Sequence, residues 1–281
     1  WQVEMKQLIA HPSKNYLACK RNLKIYKNNS GTMSLTTSLI DTEINPGLTY
    51  GGDPYDSGNY GSVWLDIDND GDMDLYIAHC RQSTTSYTDQ RRRDRLFKNN
   101  GFGVYTEDAA STQLELPGNY KQTWTSSFGD LDNDGDQDIY TTLGGAVEGD
   151  NAHNALFANP NHVNHWITLQ LKGKKGARDA QNSKVKITVS TPTGSQSYYH
   201  VVGSGGSFGA NSIQLEAGLG KATKIESIEV SWYGNPKNKQ VFKNVGMDQI
   251  VKLTEGMAEI EKTGFKATPL QGKSGGKSCC K

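Results

Sequence analysis

The feature that most constrains this chain is an acidic nine-residue segment that occurs twice, 64 residues apart. Residues 66–74 read DIDNDGDMD and residues 130–138 read DLDNDGDQD, with Asp at positions 1, 3, 5, 7 and 9 and Gly at position 6. Neither copy contains Lys or Arg, although the whole chain balances 30 basic against 30 acidic residues. Five carboxylates this close repel one another unless a cation lies between them. Each segment is therefore expected to form a turn around a metal ion.

Calcium is the cation that this pattern favours, because it takes six to eight oxygen ligands, whereas Mg²⁺ tends to keep its waters. Carboxylates at positions 1, 3, 5 and 9 could surround one ion. Position 7 is expected to contribute its main-chain carbonyl, and the glycine permits the sharp turn. We predict two Ca²⁺ sites. The candidate ligands are Asp66, Asp68, Asp70, Asp72 and Asp74 in the first segment and Asp130, Asp132, Asp134, Asp136 and Asp138 in the second.

An EF-hand begins with a similar acidic pattern, but it needs a bidentate Glu at position 12 and a helix that follows the loop. Position 12 is Ile77 in the first copy and Thr141 in the second, and both lie in strand-like runs. The pattern therefore indicates a calcium loop between strands.

The acidic segments belong to a longer repeat. Each is followed by a strand-like run and, about 20–25 residues later, by a second signature, FKNNG at residues 97–101 and FANP at residues 157–160. A partial third copy, with the run IYKNNSG, occupies residues 25–31. Repeats of about 60–70 residues with several short strands are typical of propeller blades. Residues 1–163 supply at most three blades, so we expect a further chain or a missing segment to complete the propeller.

From residue 164 the pattern changes to alternating apolar and polar residues, which predicts seven or eight antiparallel strands in a β-sandwich or barrel. Residues 218–220, GLG, are interpreted as a turn between two of these strands. The predicted organisation is all-β, with propeller blades over residues 1–163, a β domain over residues 164–256 and a flexible tail over residues 257–281.

The acidic loop followed by an aromatic-x-Asn-x-Gly turn resembles the FG-GAP/VCBS repeats of integrin-like propellers. The C-terminal region resembles an ASPIC/UnbV domain. The residues that carry this second resemblance are Asn164-His-Trp166, Gly173, Arg178-Asp-Ala180, Gly205-Gly-Ser-Phe208, Gly218-Leu-Gly220 and Val230-Ser-Trp232. The sequence departs from the usual pattern at Gln181-Asn182-Ser183 and after Trp232. The order of the two modules is similar to that of the cartilage acidic protein family.

The resemblance implies a secreted, calcium-stabilised scaffold that contacts other proteins or glycans in adhesion or in the extracellular matrix. In a bacterium, the corresponding location would be the periplasm or the cell surface. The family supplies no catalytic residues to carry over. The resemblance also implies that the aspartates at positions 1, 3, 5 and 9 are structural ligands.

Composition and the absence of known motifs narrow the function further. A net charge of zero argues against nucleic-acid binding by bulk charge, and no apolar run approaches the length of a transmembrane helix. The chain has no P-loop or His-Glu-x-x-His motif, which favours a non-catalytic protein. Two alternatives remain: a carbohydrate-binding propeller that uses some of the 13 Tyr and 5 Trp, and a propeller-based sugar lyase or dehydratase.

The one dense basic run, QRRRDR at residues 90–95, is a candidate partner-binding segment. Its arginines are Arg91, Arg92, Arg93 and Arg95. They could bind a sulfated glycan or an acidic partner, or they could form a solvated loop between blade strands.

Overall fold

The computed structural model describes part of the chain, and everything below refers to that part. The described residues are 2–5, 23–29, 32–35, 59–79, 94–108, 123–143, 154–159, 163–206, 209–234, 239–264 and 267–268. They form twenty β-strands and no helix, so the described part of the fold is all-β, as the sequence predicts. Across these same ranges, nothing meets the length and hydropathy that a membrane-crossing helix requires.

The chain divides into two compact units, and each combines separate stretches of sequence. The first unit consists of Trp1–Phe128, Ile139–Phe157 and Ser204–Asn211. The second consists of Gly129–Asp138, Ala158–Gly203 and Ser212–Lys281. The domain boundaries expected from the sequence stay a prediction.

The first unit is built from short antiparallel strands in the manner of propeller blades. Its described strands are β1 (Gln2–Met5), β2 (Leu23–Asn29), β3 (Thr32–Leu35), β4 (Asn59–Leu65), β5 (Asp74–His79), β6 (Arg95–Asn99), β7 (Tyr105–Glu107), β8 (Thr123–Gly129), β9 (Asp138–Leu143) and β10 (Ala155–Phe157). β4 to β7 form a four-stranded meander, and β8 to β10 repeat its first three strands. β2 pairs with β1 and β3, as β6 does with β5 and β7.

A hairpin from the C-terminal part of the sequence joins the first unit. β14 (Gly205–Gly206) pairs with β15 (Gly209–Asn211), and β15 runs parallel to β8. The Asn211 side-chain amide also donates to the main-chain oxygen of Trp64 at 3.2 Å. Because this hairpin lies within the predicted C-terminal domain, its place beside β8 could not be foreseen from strand periodicity.

The second unit contains a β-sandwich. One sheet has the order β16-β11-β19-β20 and the other the order β13-β12-β17-β18. Its strands are β11 (His165–Lys172), β12 (Lys184–Thr191), β13 (Gly194–Val201), β16 (Leu215–Gly220), β17 (Lys224–Ser231), β18 (Lys239–Phe242), β19 (Ile250–Thr254) and β20 (Ile260–Lys262). Alternate apolar residues of both sheets, including Ile167, Ile187, Ile228 and Leu253, form one fully buried core.

Three details of this sandwich differ from the sequence interpretation. The predicted turn at residues 218–220 is wrong: these residues are the end of β16, and Gly218 pairs with Trp166 of β11. Glycine is common in turns, but here the pairing of β16 with β11 holds the backbone in an extended conformation. One strand pair, β11 with β19, is parallel. The sheet also continues past residue 256, because β20 pairs with β19, while residues 269–281 lie outside the described part.

Candidate metal centres

Both acidic segments connect neighbouring strands, the first between the antiparallel strands β4 and β5 and the second between β8 and β9. The two loops bend at the same positions. Asn69 and Gly71 have positive φ angles of 56° and 92°, and Asn133 and Gly135 have 60° and 100°. Asn and Gly are the residues that adopt this left-handed backbone at least cost. The repeated sequence therefore produces a repeated backbone.

Each loop gathers three carboxylates. Oxygens of Asp66, Asp68 and Asp74 lie within 4.8 Å of one another in the first loop. In the second loop, oxygens of Asp130, Asp132 and Asp138 meet the same limit. All of these residues except Asp68 are buried. Positions 1, 3 and 9 of the repeat thus converge as the sequence interpretation requires.

The last aspartate of each loop is fixed by two main-chain donors. Asp74 accepts hydrogen bonds from the N–H groups of Ile67, at 3.0 Å, and Asn99, at 2.8 Å. Asp138 accepts the equivalent bonds, each at 2.9 Å, from Leu131 and Asn159. One donor comes from the loop itself and the other from the second signature of the repeat. The fixed spacing of the two signatures was visible in the sequence, but this role for the asparagines was not assigned.

The Asn99 side chain shapes the turn that follows it. Its Oδ1 accepts hydrogen bonds from the N–H groups of Gly101, at 3.2 Å, and Gly103, at 3.0 Å. Gly101 has a φ of 81°, and a Cβ there would lie 2.9 Å from the Asp72 carboxylate. The turn and the acidic loop are therefore in contact, which explains why both signatures recur together.

The aspartates at positions 5 and 7 lie outside the two convergent groups. Asp70 Oδ1 accepts a hydrogen bond from the N–H of Asp72 at 2.8 Å, and Asp134 Oδ1 accepts one from the N–H of Asp136 at 3.0 Å. Asp72 is half-buried and Asp136 is buried. The ligand roles predicted for these four side chains stay predictions.

Burial and neighbouring negative charges raise the pKa values of three of these carboxylates, those of Asp66, Asp74 and Asp130. Burial raises the pKa of Asp74 to about 7, against hydrogen bonds from Asn99 and Ile67. Burial, followed by the charge of Glu216, raises the pKa of Asp130 to about 7. The pKa of Asp66 is well above its ordinary value because of burial and the neighbouring Asp70, Asp74 and Asp68. These carboxylates would ionise fully at neutral pH if a cation supplied the missing charge.

The two loops have different surroundings. Lys98 of β6 lies 3.4 Å from Asp68 and 2.9 Å from Asp108, measured from Nζ to carboxylate oxygen. In the second loop, the Gln137 side-chain amide donates to Glu216 of β16 at 2.9 Å. A Cβ at Gly135 would lie 2.0 Å from the Trp166 ring, so the indole packs directly on this loop. Lys98 and Glu216 are charged residues near the sites that the sequence interpretation missed, since each is distant from its loop in sequence.

The predicted basic segment is only partly described. Arg95 lies in β6, where its guanidinium is 3.5 Å from the Glu107 carboxylate and its side chain is 13% exposed. Arg91, Arg92 and Arg93 lie outside the described residues. A partner-binding role for the four arginines stays a prediction.

The donor set fits a hard divalent cation. Both groups consist of carboxylate oxygens, with no sulfur or imidazole ligand among their members. Oxygen-only sets suit Ca²⁺, Mg²⁺ and Mn²⁺ rather than the transition metals that prefer softer ligands. Several buried carboxylates from one loop match the flexible, protein-rich coordination of Ca²⁺ better than the hydrated coordination of Mg²⁺.

Comparison with known families agrees with this geometry. The family model described as an FG-GAP-like repeat matches residues 66–141, which include both acidic loops. The model described as ASPIC and UnbV matches residues 173–260, which include most of the sandwich. The chain is therefore similar to an FG-GAP-like repeat over residues 66–141 and to an ASPIC/UnbV domain over residues 173–260. Among curated proteins, the comparison finds no match.

Proposed function

We propose that this FG-GAP and ASPIC/UnbV protein is a non-catalytic scaffold whose acidic loops each bind one Ca²⁺. The observation that carries the proposal is the matching geometry of the loops, in which three carboxylates converge and the last one is held by equivalent main-chain donors. Asp66, Asp68 and Asp74 would hold one ion, and Asp130, Asp132 and Asp138 the other. Asp70 and Asp134 lie in the same loops as further candidate ligands.

The function of the ions in this proposal is structural. A cation that binds the folded chain more tightly than the unfolded chain raises the free energy of unfolding. It also neutralises carboxylates that the fold buries close together. The loops connect strands of blade-like sheets, so ordering them fixes the spacing of those strands. The protein would then present its surface to a partner only when calcium is plentiful, as it is outside cells.

Thermal unfolding with and without chelator tests this proposal. We expect EDTA to lower the melting temperature of the full chain and excess Ca²⁺ to restore it, with a smaller effect of Mg²⁺. Asp66→Asn and Asp130→Asn should each reduce the calcium response. Asp179→Asn, at an exposed aspartate outside the loops, is the matched control and should keep it. A melting temperature that is the same in EDTA and in Ca²⁺ would overturn the proposal.

The adhesion or matrix role rests on the family relationship and calls for a separate test. We expect the calcium-loaded chain to bind an extracellular protein or glycan, and to lose that binding in EDTA. Immobilised matrix proteins and a glycan array provide the probes. Binding that is equal in EDTA and Ca²⁺ would contradict a calcium-dependent surface.

A further inference from the structure

The β-sandwich of the second unit carries an open cleft at the end of β11. Its volume is about 610 Å³, which is in the usual range of small-ligand sites. Three of the described residues that line it are positively charged and one is negatively charged. These lining residues are Gln170, Leu171, Lys172, Arg178, Asp179 and Lys252. The composition of the lining therefore favours an anionic ligand.

The basic turn, residues 173–180, follows β11 and borders the cleft. Glu255 is buried, and its Oε2 accepts hydrogen bonds from the N–H groups of Lys174, at 2.7 Å, and Lys175, at 2.8 Å. The main-chain oxygen of Arg178 accepts a further bond, at 3.0 Å, from the N–H of the first residue of the turn. These bonds fix the main chain from which the basic side chains extend. A ligand that binds them therefore pays less to order the turn.

The charges around the cleft are predominantly positive. Four exposed cations lie within seven residues of sequence, a density typical of polyanion-binding segments, namely Lys172, Lys174, Lys175 and Arg178. The fifth cation, Lys252 of β19, forms an ion pair with Glu261 of β20 at 2.7 Å. Asp179 and the buried Glu255 bring the total to five cations and three carboxylates. The whole chain is neutral, so this excess of two positive charges is a local feature.

The cleft is separate from the acidic loops. Trp166, which packs on the second loop, lies near the start of β11, and Lys172 lies at its end. Six residues of extended strand span about 20 Å. A ligand in the cleft therefore needs no contact with a metal ion in that loop.

We propose that this cleft binds an acidic glycan through Lys172, Arg178 and Lys252. The sulfate or carboxylate groups of the glycan supply the negative charge. The planar guanidinium of Arg178 can donate two parallel hydrogen bonds to such a group, and the two ammonium groups act as point charges. The inference goes beyond the calcium loops. It rests on the proposed function only for the extracellular setting, in which acidic glycans occur.

A nucleic acid is the other polyanion that basic side chains could bind, and two observations favour the glycan. Single-stranded nucleic acids stack their bases on aromatic side chains, and no described residue that lines the cleft is aromatic. Proteins that bind duplexes use a larger, strongly positive surface, whereas these cations are confined to one cleft of a neutral chain.

Fluorescence anisotropy with a labelled heparin hexasaccharide tests the proposal on the full chain in excess Ca²⁺. We expect saturable binding that weakens as NaCl is added, because salt screens exposed charges. A hyaluronan hexasaccharide, which carries carboxylates alone, shows whether sulfate is required. A neutral chitin hexasaccharide should not bind. Binding to neither acidic glycan, or binding to single-stranded DNA of equal charge that is as tight as to the better glycan, would overturn the proposal.

Substitutions locate the binding at the cleft. Arg178→Gln and Lys172→Gln should each raise the dissociation constant of the bound glycan about tenfold, because each removes a charge-assisted contact. Arg178→Lys should cost less, since it keeps the charge. Lys239→Gln is the matched control, at an exposed lysine of β18 in the other sheet, and should leave the affinity unchanged. Both cleft residues are exposed, so the melting temperatures should stay equal. Unchanged affinity in both glutamine variants would contradict the assignment to this cleft.

Calcium binding, measured on the same samples, separates this inference from the proposed function. A chain that binds Ca²⁺ but neither acidic glycan would overturn the inference alone. A chain that binds a glycan through Lys172 and Arg178 but binds no Ca²⁺ would overturn the calcium proposal and leave the cleft as a glycan site.

Discussion

At the scale of single residues, burial raises the pKa of loop aspartates, to about 7 for Asp74 and Asp130 and to about 6 for Asp70 and Asp134. In an unfolded chain the same groups titrate near pH 4. Between these values the folded chain keeps protons that the unfolded chain releases. The stability that these groups contribute is therefore complete below about pH 4 and is lost as the pH rises through about 7.

This linkage predicts opposite behaviour with and without calcium. In EDTA, the melting temperature of the protein should fall between pH 5 and pH 7.5. His200 opposes this trend, since burial lowers its pKa to about 4 and its contribution to stability is lost as the pH falls from about 6.5. Four aspartates with raised pKa values oppose this one histidine, so we expect the aspartates to determine how stability changes with pH. Excess Ca²⁺ should remove the fall, because the ion replaces the protons. Differential scanning fluorimetry over this pH range provides the check, and a melting temperature that rises with pH in EDTA would contradict the account.

Gly135 allows a second test at a single position. Its φ of 100° and the Trp166 ring, 2.0 Å from where a Cβ would lie, both exclude a side chain. Gly135→Ala should lower the free energy of unfolding by more than about 2 kcal/mol, the sum of backbone strain and a steric clash. Gly194→Ala is the control, because Gly194 also has a positive φ of 132° but has nothing within 4 Å of its Cβ position. Chemical denaturation measures both, and an equal loss in the two variants would show that the packing of Trp166 is unimportant.

At the scale of the strands, a buried polar cluster connects two of the blade-like sheets of the first unit, the sheet of β4 to β7 and the sheet that contains β8. Asp94, which precedes β6, accepts hydrogen bonds from the hydroxyls of Tyr76 in β5, at 2.5 Å, and Thr123 in β8, at 2.9 Å. Tyr76 also packs edge-on against Phe128 of β8, with ring centroids 5.3 Å apart. A carboxylate shared by three strand segments fixes their relative positions.

Removing the tyrosine hydroxyl should destabilise this connection. We expect Tyr76→Phe to cost about 1–3 kcal/mol, because it leaves a buried carboxylate with fewer donors. A double-mutant cycle with Thr123→Val should show coupling, since both hydroxyls serve the same carboxylate oxygen. Tyr140→Phe is the control: Tyr140 is exposed and its hydroxyl accepts a hydrogen bond from Asn154. Additive effects of the two core substitutions would contradict the cluster.

The strands also show what the sequence could predict. Alternation of apolar residues predicts β12, β17 and most of the sandwich, because local periodicity follows from which face is buried. The turn predicted at residues 218–220 is wrong because glycine occurs both in turns and in strands, and the sequence around it does not show which. Here the paired strand is β11, which lies far from β16 in sequence. The convergence of aspartates followed from a repeated short motif. Glu216 and Lys98 reach their loops only through tertiary pairing, so no local pattern indicates them.

At the scale of the whole molecule, the two loops belong to different compact units. Residues 66–74 lie in the first unit, and residues 130–138 lie in the second, with the sandwich. Thr268, near the C-terminal end of the described residues, donates its N–H to the main-chain oxygen of Asp132 at 2.7 Å. The second loop therefore has hydrogen-bonded and packing partners within the sandwich unit.

This division predicts that each loop slows hydrogen exchange in a different part of the chain. In hydrogen–deuterium exchange, Asp138→Asn should increase exchange in β11 and β16 of the second unit, because Trp166 and Glu216 lose their ordered neighbour. Asp74→Asn should increase exchange in β5 and β6 of the first unit. Asp179→Asn serves as the control for both. The same exchange pattern in the two loop variants would contradict the assignment of one loop to each unit.

The number of calcium ions bound by each chain tests the central claim most directly. Isothermal titration calorimetry of Ca²⁺ into the metal-stripped full chain should give a stoichiometry of two. Asp74→Asn and Asp138→Asn should each remove one site. A stoichiometry of two in the original chain, and of one in each variant, is the result that this account predicts. No calcium binding, or a stoichiometry that neither substitution changes, would contradict it.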